Sequence, residues 1–139
     1  MKNMKDLLPH RPPFLFVDRL IEIGEKTITG ERLFIESDFF FKGHFPKYPI
    51  VPGVILVEAM AQCGGAGIME QGLLDKDSIF FLATIEKAKF RRQVIPGDLV
   101  RFEIENVRVS PKMLKQKGKA FVGDEIAAEA QWLSIIGFK

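Results

Sequence analysis

The feature that most constrains this chain is the apolar stretch from Ile50 to Met69. Pro52-Gly53 opens a predicted helix that runs to about Gly72, since proline is tolerated in a first turn whose N–H groups lack intrahelical partners. Val54, Ile55, Leu56, Val57, Ala59, Met60 and Ala61 leave this helix almost no polar face. A helix that is apolar all round must be buried. It is a poor membrane span, because Pro52, Gly53, Glu58, Gln62 and a glycine cluster interrupt the roughly 20 mainly apolar residues a span requires. The cluster itself, Cys63-Gly64-Gly65-Ala66-Gly67, disfavours helix, each glycine costing roughly 1 kcal/mol relative to alanine. Either tertiary packing overrides that cost or the small residues admit another backbone.

What surrounds the helix reads as strand. Met4 to Leu8 is expected to form one short helical turn ended by Pro9. Phe14 to Ile23 is rich in β-branched and aromatic residues, stops at Gly24, and has a hairpin partner in Thr27 to Ile35. Phe39 to Pro52, with Pro46, Pro49, Pro52 and five aromatics, cannot sustain regular structure and is predicted to be an ordered loop with buried side chains. After the helix come Ser78 to Phe90, then Leu99 to Val109, where Val100, Phe102 and Ile104 alternate with Arg101, Glu103 and Glu105. Met113 to Val122 and Glu125 to Ile136 flank a Gly123-Asp124 hairpin turn. The sum is an α+β chain, a curved antiparallel sheet wrapped around one long apolar helix: the hot-dog arrangement.

Composition narrows the function classes. A chain of 139 residues, 47% of them hydrophobic, is expected to make one domain over 1–139 with a sufficient core. Its one cysteine, Cys63, excludes an intrachain disulfide, and His10 and His44 are too isolated to suggest a metal cluster. No apolar h-region follows the charged residues before Leu8, so no signal peptide is expected and a cytoplasmic setting fits. Residues 86–119 hold ten Lys/Arg against four Asp/Glu, a local +6 in a chain of net charge +2. Such a stretch either meets an acidic partner or forms a solvated strand face. Without aromatic interleaving or a nucleic-acid motif it does not point to nucleic acid.

Three residues carry candidate chemistry. His44, in Gly43-His44-Phe45-Pro46, has the side chain whose ordinary pKa suits proton transfer near neutral pH, although a lone loop histidine is more often structural. Glu58 sits in an otherwise apolar helix, where burial raises a carboxyl's pKa toward that of a general acid. Its structural alternative is a salt bridge or a hydrogen bond to Gln62 at i+4. Gly53, at the helix start, offers an unpaired N–H at the positive end of the helix dipole, the place for an oxygen with developing charge, or simply an ordinary helix start. Together the three suit an elimination: a thioester carbonyl polarised by Gly53 N–H, the α-proton taken by His44, and the β-hydroxyl protonated by Glu58. Such chemistry requires no metal, nucleotide or redox cofactor.

The motifs around these residues form longer blocks. Leu8-Pro9-His10-Arg11-Pro12-Pro13-Phe14-Leu15 with Val17-Asp18-Arg19, then Gly43-His44-Phe45-Pro46, Pro49, Pro52-Gly53-Val54 and Glu58-Ala59-Met60-Ala61-Gln62, then Lys89-Phe90-Arg91-Arg92-Gln93-Val94 with Pro96-Gly97-Asp98, resemble the FabZ-type (3R)-hydroxyacyl-[acyl-carrier-protein] dehydratases along essentially the whole chain. The resemblance implies dehydration to a trans-2-enoyl thioester in fatty acid elongation, with no cofactor. It implies a homodimer with its long helices side by side, the glycine-rich half permitting their close packing, often assembled as a trimer of dimers. His44 of one chain would face Glu58 of the other. It further implies an acyl tunnel, here involving Phe45, Pro52, Val54 and Gln62, with Phe81 near the place of a gating aromatic. Lys89, Arg91 and Arg92 would meet the acidic carrier protein that bears the phosphopantetheine-linked acyl chain. Relatives that also isomerise the product resemble this pattern but carry aspartate where Glu58 stands, so glutamate favours dehydration alone. Two other readings share the fold: an acyl thioesterase, which needs no Gly-His-Phe-Pro loop, and a non-catalytic acyl-thioester-binding module.

Overall fold

A computed structural model describes residues 3–138. A short helix α1 (Met4–Leu7) leads to strands β1 (Arg19–Ile23) and β2 (Thr27–Leu33) and a 3-10 turn at Phe39–Lys42. Helix α2 (Gly53–Glu70) follows, then β3 (Ser78–Phe90), β4 (Leu99–Val109), β5 (Met113–Val122) and β6 (Glu125–Phe138). The six strands form one antiparallel sheet in the order β1-β2-β4-β5-β6-β3. Helix α2 touches every strand. It is therefore the helix of a hot dog, and no described helix is long and apolar enough to cross a membrane.

The sheet curls because four of its five strand pairs shift register. Irregularities fall at Leu20/Glu22, at Leu82/Thr84 and Glu86/Lys89, at Asn106/Arg108 and at Ala120/Phe121. Each extra residue bends its strand and tightens the local twist. Alternation then sorts the side chains. Val100, Phe102, Ile104, Leu114, Ala120, Ala128 and Trp132 point at the helix, and the opposite face carries the charges.

That charged face accounts for much of the basic run. Across neighbouring strands Thr29 pairs with Glu103, Glu103 with Lys119, Lys119 with Glu129, and Glu129 with Lys89. Opposite charges lie side by side in a checkerboard, a stabilising pattern on a solvated sheet face. The solvated-face alternative thus holds for Lys117 and Lys119.

The glycine cluster is explained by the chain's own sheet. A Cβ on Gly64 would lie 2.0 Å from Gln116 Oε1, one on Gly67 2.4 Å from Ile28, and one on Gly65 3.1 Å from Phe80. The small residues admit sheet side chains, where the resemblance had implied a neighbouring helix. Gln116 is wholly buried, accepts from Trp132 Nε1 at 3.2 Å and donates to Asn106 Oδ1 at 2.7 Å, so its position cannot yield cheaply. The helix stops at Glu70, slightly earlier than Gly72. Gly72 takes φ +73°, the left-handed conformation that ends a helix.

Two other expectations change. The first strand begins at Arg19 and not at Phe14, because the preceding backbone is bonded to a helix side chain: Gln62 Oε1 accepts from Phe16 N–H at 2.8 Å and Gln62 Nε2 donates to Phe14 O at 3.2 Å. The 39–52 segment is ordered, but only Phe40 and Phe41 of its aromatics are buried; Phe39, Phe45 and Tyr48 are exposed.

Helix propensity alone predicts that Gly64→Ala stabilises the fold by about 1 kcal/mol. The contact with Gln116 reverses the sign. Overpacking of this kind costs about 1–3 kcal/mol, and displacing Gln116 strands the Trp132 N–H. Urea unfolding of Gly64→Ala should show a net loss of about 2 kcal/mol, whereas Gly43→Ala, with nothing within 4 Å of the added methyl, should shift stability by less than about 0.5 kcal/mol.

Candidate active site

His44 hangs from a loop that closes on itself. Ile50 N–H donates to His44 O at 2.9 Å, His44 N–H donates to Phe40 O at 3.0 Å, and Phe45 and Tyr48 exchange backbone bonds at 2.9 Å. Tyr48 Oη donates to Gln93 Oε1 at 2.5 Å, tying the loop tip to the segment after β3. His44 Nδ1 lies 3.0 Å from Ile50 O. A carbonyl can only accept, so Nδ1 carries the hydrogen and Nε2 keeps its lone pair. The ring stacks on Phe45 at 4.1 Å, and the His44–Phe45 peptide is cis.

The same cleft, about 440 Å³, is lined by His44, Gly53, Val54, Phe90, Arg91 and Arg92 among others. Among the described residues the N–H groups of Gly53 and Val54 find no acceptor, while Ile55 and Leu56 donate to Pro52 O at 2.9 and 3.3 Å. The first turn of α2 and His44 therefore border one cleft. A Cβ at position 53 would sit 2.7 Å from the Phe90 ring, so any larger residue there must displace that ring.

Glu58 opens elsewhere. It lines a narrow cleft of about 30 Å³, roughly one water, with Leu8, His10, Gln62, Phe80, Leu82 and Ser134. Burial pushes its carboxyl above the ordinary value, and the hydrogen bond that Gln62 Nε2 donates to Oε2 at 2.9 Å opposes that rise. Gln62 is held in turn by the backbone of Phe14 and Phe16, so the carboxyl is aimed by a fixed amide. The hydrogen bond expected as the structural alternative is thus present, and it coexists with the perturbed acidity of a proton donor.

One chain thus groups His44 with Gly53 and sets Glu58 in a different cleft. Both clefts border a less covered stripe of α2: exposed Val54 (72%) and half-buried Glu58 and Ala61, spaced i, i+4, i+7.

The remaining sequence candidates separate. Pro52 caps α2, Val54 lines the His44 cleft, and Phe45 backs the imidazole. Phe81 lines neither cleft. It is exposed and packs toward Gly137, while its neighbours Phe80 and Leu82, on the other face of the strand, line the Glu58 cleft. Phe81, expected near the place of a gating aromatic, thus lies outside both clefts of the single chain. Arg91 and Arg92 stand at the His44 cleft but are engaged, Arg91 with Glu129 at 3.1 Å and Arg92 with Asp98 and Glu125 at 3.4 Å. Lys89 lies apart, in a depression of about 600 Å³ on the charged sheet face. Sequence reasoning passed over His10, whose Nε2 lies 3.7 Å from Glu58 Oε2; its place in the Leu8-Pro9-His10-Arg11 block was the available signal.

A family model, the FabA-like domain, matches residues 8–131. The chain belongs to the FabA-like family. Its relatives place it in the FabZ branch: it is 44% identical to the 3-hydroxyacyl-[acyl-carrier-protein] dehydratase FabZ of Desulforamulus reducens, over 98% of this chain and 96% of that one. It is 40% identical to the enzyme of the same name from Clostridium kluyveri, over 100% and 96%. The dehydratase heterocomplex ApeI:P from Xenorhabdus doucetiae superimposes with a TM-score of 0.86 over 100% of this chain and 93% of its own, at 12% identity, and so shares the fold.

A raised carboxyl has a consequence for stability in this FabA-like chain. Folded Glu58 holds its proton more tightly than unfolded Glu58, so its contribution is fully present at low pH and is lost as pH rises through its raised value. Glu58→Gln removes that loss. Urea midpoints should show the variant gaining on the parent as pH rises from the ordinary carboxylate range through the raised value. A pH-independent difference would mean that burial does not penalise the carboxylate.

Proposed function

We propose that this chain dehydrates (3R)-3-hydroxyacyl groups carried on acyl carrier protein, giving trans-2-enoyl thioesters in fatty acid elongation. The observation that carries the reading is the His44 cleft: an imidazole whose Nε2 is free to act as a base, beside first-turn N–H groups without acceptors. Membership of the FabZ branch supports the substrate class.

The thioester carbonyl accepts a hydrogen bond from Gly53 N–H, which stabilises charge developing on that oxygen and acidifies the α-carbon. His44 Nε2 takes the α-proton. The C–H electron pair becomes the Cα=Cβ bond, the Cβ–O bond breaks, and the hydroxyl leaves as water with the proton of Glu58. Imidazolium and carboxylate then exchange protons with solvent to restore the starting state. Gln62 aims the carboxyl, and Phe45, Pro52 and Val54 border the acyl path. Glutamate at position 58 favours dehydration without isomerisation.

The pair acts across a homodimer, three of which assemble into a hexamer. Two features support a second copy. The outer edge of β3, 13 residues long, is unpaired and carries exposed Phe81, Ile85 and Phe90. Such an edge is an open template for another strand. The less covered stripe of α2 lies between both clefts, so a partner seated there would bring its His44 to Glu58. Arg91 and Arg92, which line the His44 cleft, receive the acidic carrier, and Lys89 adds positive charge on the sheet face. A free thiol at Cys63 and the proposed partner fit a cytoplasmic setting.

Following enoyl absorbance and thiol release together on a 3-hydroxyacyl carrier substrate tests the reaction: absorbance should rise with no free thiol. His44→Ala and Glu58→Gln should each lower kcat by at least about a hundredfold with the fold intact. Mixing the two variants should recover part of the activity, because some mixed dimers hold one intact site. No recovery despite subunit exchange would refute a site shared between chains. Arg91→Glu should raise KM several-fold for the carrier-bound substrate, roughly the effect of reversing a rim charge, and leave an acyl-pantetheine substrate unaffected.

A further inference from the structure

His10 is the one half-buried titratable group beside the clefts that the elimination leaves without a task. It follows α1 and faces Glu58 across the narrow cleft, with Nε2 3.7 Å from Oε2. Its Nδ1 is buried and has no partner among the described residues. An orphaned buried N–H is rarer than an orphaned acceptor, so Nδ1 is the bare nitrogen and the hydrogen sits on Nε2, toward Glu58.

We propose that His10 is a positioning residue for the Glu58 carboxyl, its Nε2–H holding Oε2 beside the Gln62 amide so that Oε1 carries the proton to the substrate. The inference rests on Glu58 being the acid. Two donors then converge on one oxygen, one fixed by the backbone of Phe14 and Phe16 and the other by the N-terminal segment. At 3.7 Å the His10 contact is longer than a hydrogen bond, and such contacts tighten when substrate closes the site. As the proton leaves, negative charge appears on the carboxyl and both N–H donors stabilise it.

The arrangement requires a neutral imidazole, since the charge of an imidazolium would favour the Glu58 carboxylate and release its proton to solvent before substrate arrives. Burial first, and then the neighbouring Arg11 charge, keep His10 below the usual histidine value. Arg11 is held in place by three backbone carbonyls, those of Leu8 at 2.8 Å, His10 at 2.7 Å and Lys5 at 3.1 Å. From the facing elements, β3 contributes Phe80 and Leu82 and β6 contributes Ser134, so Glu58 on α2 is the only other titratable group in the cleft.

Substitution separates this role from packing. His10→Phe keeps the bulk and removes the donor; His10→Gln restores an N–H near the position of Nε2. His10→Phe should lower kcat about tenfold, the scale of one hydrogen bond to a charged group, with KM unchanged. Glu58, lacking a donor to its charged form, should hold its proton to higher pH, so the alkaline limb of the pH–rate profile moves up. His10→Gln should keep most of the rate and the parental limb. Should His10→Phe not fold, the smaller His10→Leu carries the same comparison. In a Glu58→Gln background the His10 change should add nothing. Parental rate and limb in His10→Phe, equal losses in both variants with the limb unmoved, or a further tenfold loss on top of Glu58→Gln would each overturn the proposal. An active Glu58→Gln enzyme would remove the acid role of Glu58 itself and this inference with it, whereas an inactive Glu58→Gln beside an unaffected His10→Phe overturns the His10 role alone.

Discussion

Everything in this chain depends on covering α2. Eighteen residues of helix with almost no polar face require apolar partners on nearly every side, and one sheet can supply them only by curling. The register shifts provide the curl, and Gly64, Gly65 and Gly67 let Gln116, Phe80 and Ile28 close on the helix backbone. The cover is incomplete along one stripe. That stripe, Val54, Glu58 and Ala61, is where the candidate chemistry comes to the surface. Fold and candidate site are therefore linked: the sheet covers this face of the helix less closely than the others and leaves a cleft between Glu58 and Phe80, Leu82 and Ser134.

A buried carboxyl beside that stripe costs stability unless something fixes it, and Gln62 performs that task. Its amide is fully engaged, accepting from Phe16 N–H and donating to Phe14 O and Glu58 Oε2. One side chain thus joins three matters: the path of the chain before β1, the orientation of the acid, and satisfaction of polar atoms within an apolar core. Partly satisfied networks in such places are unfavourable, and this one is closed except at His10.

The architecture was legible where physics is periodic. Alternation in Leu99–Val109 and the Gly123-Asp124 turn matched the observed strands, and the bounds of β3 and β5 agreed with the expectation. The start of β1 was not legible, because Phe14–Phe16 has strand-like residues whose backbone partners come from a side chain 46 and 48 residues away. Local pattern carries no trace of such a bond. The face of β3 that Phe81 takes was not legible for a related reason: near a bulged strand a shift of one residue exchanges the two faces. His44 and Gly53 were each visible as candidates, but their common cleft depends on the closed 44–50 loop, which sequence spacing does not specify.

The two clefts also divide the electrostatic work. At His44 the task is to keep one nitrogen basic, and a single carbonyl at Ile50 achieves it by fixing the tautomer. At Glu58 burial raises the carboxyl above its ordinary value, opposed in part by the N–H that Gln62 donates to it. Within one chain the two groups stand on separate elements and border separate clefts, so the surroundings of each are set independently: a carbonyl fixes the tautomer of one, and burial raises the carboxyl of the other.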